Sequence, residues 1–199
     1  MRSTAIAADP IVQLSQVLDL AGSLIQGIRP EQAGLPTPCQ SWDVQALSEH
    51  LVNDTSQFTT AARGGRPDWD APAAHVDNDW ASAFHSGAAQ LLAAWQQAGD
   101  LSQEIDLPIG RVPKDFVASQ QIAEFAVHSW DLATATGQRV DFPAEACDAA
   151  LAWAKSALLP QFRGDEASGK AFGPEVPVSG GAPAEDRLAA FFGRGPRSI

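Results

Sequence analysis

The stretch Ala123-Glu124-Phe125-Ala126-Val127-His128-Ser129-Trp130-Asp131 decides how the rest of this chain is read. In a helix, turning about 100° and rising about 1.5 Å per residue, Glu124 and His128 lie one turn apart on one face, about 6 Å from each other. That is a metal-ligand spacing. The same stripe, followed at 3-4 spacing, reads Val117, Gln121, Glu124, His128, Asp131 and Ala135, so polar groups stand where a bundle helix places its core. Burying a carboxylate and an imidazole unpartnered costs on the order of several kcal/mol, so a metal, mutual pairing or a hydrogen-bond network has to compensate them. His50, in Val44-Gln45-Ala46-Leu47-Ser48-Glu49-His50-Leu51, falls inside another helix beside its apolar face. Three ligands from two helices are therefore conceivable.

Working outward, Asp9-Pro10 reads as an N-cap followed by proline at the first helical position, opening a helix to about Ile28 on Ile11, Leu14, Leu18, Ala21 and Ile25. Gly34, Pro36 and Pro38 mark a loop. Ser41 is expected to cap the second helix, with Asp43 in its first turn and Val44, Leu47, Leu51 and Phe58 as its buried stripe. A third helix is expected from about Asn78 to Ala98, carrying Trp80, Phe84, Ala88, Leu91, Leu92 and Trp95. Ile105, Leu107 and Ile109 alternate with polar or turn residues, but Pro108 argues against a central strand, and the segment reads as a loop. The fourth helix runs from near Pro113 to Thr136, with Gly137 as its stop. The fifth, from about Pro143 to Leu159, carries Ala146, Ala149, Ala150, Trp153, Ala157 and Leu158. The Gly- and Pro-rich tail contains a short amphipathic helix around Ala184 to Phe192.

Four long helices, a fifth and no strand long enough for a sheet define an all-α bundle. The simplest organisation is one domain over residues 1–199, its core bundle about 9–137 and its C-terminal helix and tail about 143–199.

With 24 Asp and Glu against 13 Lys and Arg, the net charge is −11, which disfavours a nucleic-acid or anionic-membrane surface. The start lacks the apolar core of a secretory signal, and no apolar run approaches the ~18 residues of a membrane span. A cytoplasmic protein is expected, with Cys39 and Cys147 kept reduced.

Thr37-Pro38-Cys39-Gln40-Ser41-Trp42-Asp43-Val44 with Leu47 and His50-Leu51, then Glu124 to Ala133 with Thr136-Gly137, resemble the actinobacterial branch of the DinB-like superfamily. That branch includes the N-terminal domain of mycothiol-dependent maleylpyruvate isomerase. Phe172-Gly173-Pro174-Glu175-Val176-Pro177-Val178 and the run from Asp186 to Pro196 look like the tail of short metal-binding members of that branch, so the likeness spans nearly the whole chain. The resemblance implies a DinB-like four-helix bundle and a divalent metal, zinc with nickel as the alternative, held by His50, Glu124 and His128. In the isomerase a separate C-terminal domain contributes to the active site, and the segment after the fourth helix here is too short to be its equivalent. Fold and metal triad are implied; the isomerase's substrate is not.

Two imidazoles and one carboxylate leave a zinc position open, as in catalytic sites, where bound water or thiol becomes acidic. The expectation is a metal- and mycothiol-dependent thiol transferase or isomerase acting on a small-molecule electrophile. Two other classes stay open: a non-catalytic metal- or small-molecule-binding protein, and a structural protein whose site is filled by hydrogen bonds. A homodimer also stays open, since DinB-like bundles often pair.

Other side chains divide between site and structure. Asp131 either orients a ligand or bridges helices; Gln121 either lines the pocket or donates to a carbonyl. Cys39, before the second helix, is reactive or simply packed, whereas Cys147 reads as core. His75 and His85 have no ligand-spaced partner; His85, next to Phe84 on the third helix, either approaches the site from across the bundle or stands apart from it. Trp42 and Trp130 are expected to pack around the site, and Arg66, Arg111, Lys114 and Arg163 are candidates for an anionic substrate.

Overall fold

The computed structural model describes residues 9–39, 42–69, 75–76, 79–107, 110–158, 163–164 and 172–195. Helix α1 (Pro10–Gln26) starts as the Asp-Pro pair dictates, with the Asp9 carboxylate accepting from the Ile11 N–H at 2.9 Å. A 3-10 turn (Pro30–Gln32) follows, and the Gln32 amide donates to the Thr136 carbonyl at 2.8 Å, pinning this loop to the end of the fourth helix.

Helix α2 (Val44–Ala62) is capped by Asp43, whose side chain accepts from the Ala46 N–H at 2.8 Å. This corrects the expected start. Asp43 has extended backbone angles (φ −78°, ψ 179°) and so is the cap itself, not a first-turn residue, while Ser41 lies outside the described residues. Helix α3 (Trp80–Gln97) is capped by Asp79; the expected start at Asn78 lies outside the described residues.

The segment expected to be a loop is a small antiparallel hairpin, β1 (Glu104–Leu107) with β2 (Gly110–Pro113), in which Ile105 pairs with Val112 and Asp106 with Arg111. Proline is excluded only from central strands, and a two-stranded hairpin has none; Pro108 itself lies outside the described residues.

Helix α4 (Lys114–Thr136) ends at Gly137 in the left-handed conformation, and α5 (Ala144–Ala157) and α6 (Ala184–Phe191) complete the chain. In α5 the expected Ala146 and Ala150 are buried together with Cys147, Leu151 and Ala154, facing α4 and α6, while Ala149, Trp153, Ala157 and Leu158 are only half-buried. Cys147 is core, and burial pushes its thiol up to about 12.

Helices α1, α3, α2 and α4 contact one another in a ring, while α5 and α6 lie against α4 from outside. The fold is an all-α, DinB-like bundle. One consequence falls on α4. Flanked by α1, α2, α5 and α6, it is buried from Phe125 to Ala133 without a break, including His128, Ser129 and Asp131. Polar groups are sealed in by neighbours, not merely placed on an inward stripe. Among the described residues no helix is long and apolar enough to cross a membrane.

The approach of α3 to α2 depends on Gly87. A Cβ there would run into the Thr55 hydroxyl, which donates to the Val52 carbonyl at 2.7 Å. Gly87→Ala should therefore cost about 1–3 kcal/mol of stability, read as a lowered melting temperature; an unchanged melt would show that α3 can shift without loss.

Candidate metal centre

His50 from α2 and Glu124 and His128 from α4 meet where the two helices face each other. The His50 Nε2 lies 3.1 Å from Glu124 Oε1, and the His128 Nε2 lies 3.0 Å from the same oxygen. One donor atom from each of the three lies within 4.8 Å of the others. An ion bonded at about 2.0–2.1 Å to such donors separates neighbouring ligand atoms by little more than 3 Å, so the donor chemistry and spacing both fit a divalent metal. The centre is open on one side: the side chains of His50 and Glu124 are 22% and 27% exposed, against 7% for His128.

Behind His128 stands a second layer. Its Nδ1 donates to Asp131 Oδ2 at 3.0 Å, which leaves Nε2 directed at the cluster. Asp131 is in turn gripped by Arg194, whose Nε and Nη2 donate to its two carboxylate oxygens at 3.2 and 2.9 Å. Arg194 reaches this position because α6 ends at Phe191 and the chain turns at Gly193. That residue has φ +87°, and its backbone packs so closely on Gly173 that a Cβ would clash. The Arg194 N–H then bonds to the Ala189 carbonyl at 3.0 Å. The tail thus supplies a buried guanidinium to the centre.

The loop before α2 forms its wall. The Thr37 hydroxyl lies 2.8 Å from the Cys39 carbonyl and 2.7 Å from that of Trp42, holding these two residues together. Trp42 is thereby stacked on His50, with ring centres 4.2 Å apart and planes 28° from parallel, and its ring centre is 5.6 Å from that of His128. Cys39 Sγ comes within 4.8 Å of a His128 nitrogen and an Asp131 oxygen. A second cation there would meet Arg194, which already holds both Asp131 oxygens.

Asp54 is the unexpected member. One turn beyond His50 and only 3% exposed, it places Oδ2 3.2 Å from the His50 Nε2.

The charges follow from these contacts. Burial opposes protonation of His128, but the Glu124 charge and the hydrogen bonds to Asp131 and Glu124 outweigh it and raise the imidazole to about 9. Burial likewise opposes ionisation of Glu124, yet His128 and His50 hold it far below the usual carboxylate range. Asp54 goes the other way, raised to about 8 by burial and by the charge of Glu124. Asp131 is held low against its burial by the His128 hydrogen bond and Arg194. In the metal-free chain a proton on His128 therefore supplies the positive charge that a metal would bring.

The remaining expected residues are placed as follows. Gln121 is fully buried and its oxygen accepts from Trp95 Nε1 at 2.8 Å, while its amide nitrogen has no partner among the described residues. Trp130 donates to Asp186 on α6 at 2.7 Å, so it packs toward the tail, where it lines a small cavity with Val176, Val178 and Arg194. His85 is exposed on α3 with its ring over Gly22 of α1. The His75 Nδ1 is 2.7 Å from Glu49 on α2. Lys114 donates to the Ala98 carbonyl and to Gln103. Arg111 pairs across its hairpin with Glu104 and Asp106. Arg163 lies over the Phe191 ring and donates to the carbonyls of Gly173 and Phe191, and Arg66 is exposed. Sequence inspection missed Asp54 and Arg194. The first repeats the i, i+4 signal of Glu124 and His128; the second, 63 residues from its partner, has no local signal.

The chain is thus a helical bundle in which two imidazoles and a carboxylate converge between two of its helices, beside Thr37, Cys39 and Trp42. The sequence profile of the mycothiol maleylpyruvate isomerase N-terminal domain matches residues 14–133, and the chain belongs to that family. Two uncharacterized proteins of Mycobacterium tuberculosis, from strains CDC 1551 / Oshkosh and ATCC 25618 / H37Rv, are similar to it. Each is 35% identical over 190 residues, spanning 94% of this chain and 98% of the relative. No solved structure matches the chain. The family profile includes all three cluster residues and stops short of α5, α6 and Arg194.

Two outcomes follow. Raised groups stabilise the fold below their ordinary values and lose that contribution as pH passes their folded values. For His128 the loss spans 6.5 to about 9, and for Asp54 it spans 3.8 to about 8. The metal-free protein should melt at falling temperature from pH 7 to 9, and His128→Ala should flatten the upper part of that slope. Secondly, Asp131→Asn and Arg194→Met should each weaken divalent-metal affinity by about 10- to 100-fold in chelator competition, with helical circular dichroism unchanged.

Proposed function

We propose that His50, Glu124 and His128 bind a divalent metal, zinc in the first instance and nickel as the alternative. In this reading the open side of the centre admits a small-molecule thiol for transfer to an electrophile or for thiol-dependent isomerisation. The observation that carries it is the convergence of two imidazole nitrogens and a carboxylate oxygen within 4.8 Å, with one side reached by solvent. A divalent ion bound there would make a coordinated thiol acidic at neutral pH. Membership of the mycothiol maleylpyruvate isomerase family supports mycothiol as that thiol, and a reducing cytoplasm is its fitting compartment.

The chain's own residues would perform the rest. Asp131, braced by Arg194, keeps the His128 proton on Nδ1 and Nε2 free for the metal. Trp42 fixes the plane of His50 by stacking and shields one side of the centre from water. Glu124, shared between both histidines, draws the two helices' ligands to one point.

The test is elemental analysis of protein purified without chelator or nickel affinity resin, beside His128→Ala. One divalent ion per chain, lost in the variant, is the expected result, followed by heat on titrating mycothiol into the loaded protein and turnover of a thiol conjugate. Metal and mycothiol bound without turnover would leave a non-catalytic binding protein. Wild type that stays metal-free after zinc is offered and excess dialysed away would overturn the metal reading.

A further inference from the structure

We infer that the cavity between α4, α6 and the tail binds the primary amide end of a small uncharged molecule, whether or not a metal is present. It is a second site, joined to the contacts behind His128 through Arg194.

The cavity has a volume of about 60 Å³. A single water needs roughly 10–15 Å³ on that measure, so the space takes one polar group with a short stem. Trp130 and Ala190 line it as buried residues, and the exposed Pro177 and Val178 form its rim. Two charged side chains complete the lining. Arg194, its side chain 10% exposed, spends two N–H groups on Asp131 and one on the Phe192 carbonyl. A guanidinium has about five, so two have no partner among the described residues. Asp186 accepts from the Trp130 Nε1 at 2.7 Å, and a carboxylate's several lone pairs leave capacity for a further donor. The lining thus offers donors and an acceptor of opposite charge among apolar walls. An anionic ligand would meet Asp186 as a like charge, and its attraction to Arg194 is already met by Asp131; a cationic ligand would meet Arg194. In a recess that excludes most water neither repulsion is well screened. A primary amide avoids both: its oxygen accepts from Arg194, its NH2 donates to Asp186, and it carries no charge. The apolar remainder of the molecule then covers Val178, which is 42% exposed. Few polar groups set among apolar ones is the usual make-up of a small-molecule site.

The indole N–H resonance of Trp130, assigned in the full chain with Trp130→Phe, reports occupancy because it bonds to Asp186 in the cavity lining. Three probes share a branched alkyl body: isobutyramide (neutral), isobutyrate (anionic) and isobutylamine (cationic). The expected result is a saturable shift with isobutyramide at about tenfold lower concentration than with either charged probe, in chelator-treated and zinc-supplied protein alike. Asp186→Asn keeps an acceptor for Trp130 but removes the negative charge, and should bring isobutyrate to within about threefold of isobutyramide. Ala190→Leu fills the cavity and should abolish the shift. Should that variant fail to fold by circular dichroism, Val178→Ser at the exposed rim takes its place and should weaken isobutyramide binding by about threefold. A Trp130 resonance unmoved by isobutyramide, isobutyrate binding as tightly as the amide to the wild type, a spread unchanged in Asp186→Asn, or binding unchanged by the cavity variants would overturn the proposal.

Discussion

Everything in this molecule leans on the enclosure of α4. A helix with neighbours on four sides cannot leave His128 and Asp131 to solvent and leaves Glu124 only partly exposed, so each charge has to be met by another inside the protein. The result is a chain of contacts from His50 through Glu124, His128 and Asp131 to Arg194, in which the stretch from Glu124 to Arg194 alternates in sign when His128 is protonated. Its two ends come from opposite parts of the sequence, α2 and the C-terminal tail, and close it from both sides.

That chain explains why this fold needs more than four helices. In the proposed centre His128 would serve as a ligand only with its Nδ1 proton fixed, and Asp131 fixes it only if its own buried charge is balanced. The balancing guanidinium comes from beyond α6, positioned by a left-handed glycine and the close approach of Gly193 to Gly173. The tail is therefore part of the centre, even though the family profile ends inside α4. The loop before α2 does the corresponding service for His50, laying Trp42 against its ring.

Much of the architecture was legible because it is local. Asp9-Pro10 announces a helix start, 3-4 apolar spacing sets the faces of α1 to α3, and Gly137 stops α4. Glu124 and His128 share a helical face at their spacing, as any helix requires. The misses have physical causes too. Asp43 displaced Ser41 as the expected cap because the backbone turns helical only after it. Pro108 misled because it argues against central strands while the hairpin has only edges. In α5 only Ala146 and Ala150 of the expected set are buried, because α4 and α6, not composition, choose which of its many alanines face inward.

By itself the sequence determined which residues can be ligands and which helices carry them, because those properties depend on side-chain chemistry and a helical repeat of about 3.6 residues. Only the tertiary structure decided that His50 meets Glu124 rather than solvent, that Asp54 is drawn in beside it, and that Arg194 crosses 63 positions of chain to hold Asp131. Those outcomes depend on how α2, α4 and the tail pack in space, a long-range matter of which surfaces seal against each other. No spacing rule within one helix contains that information.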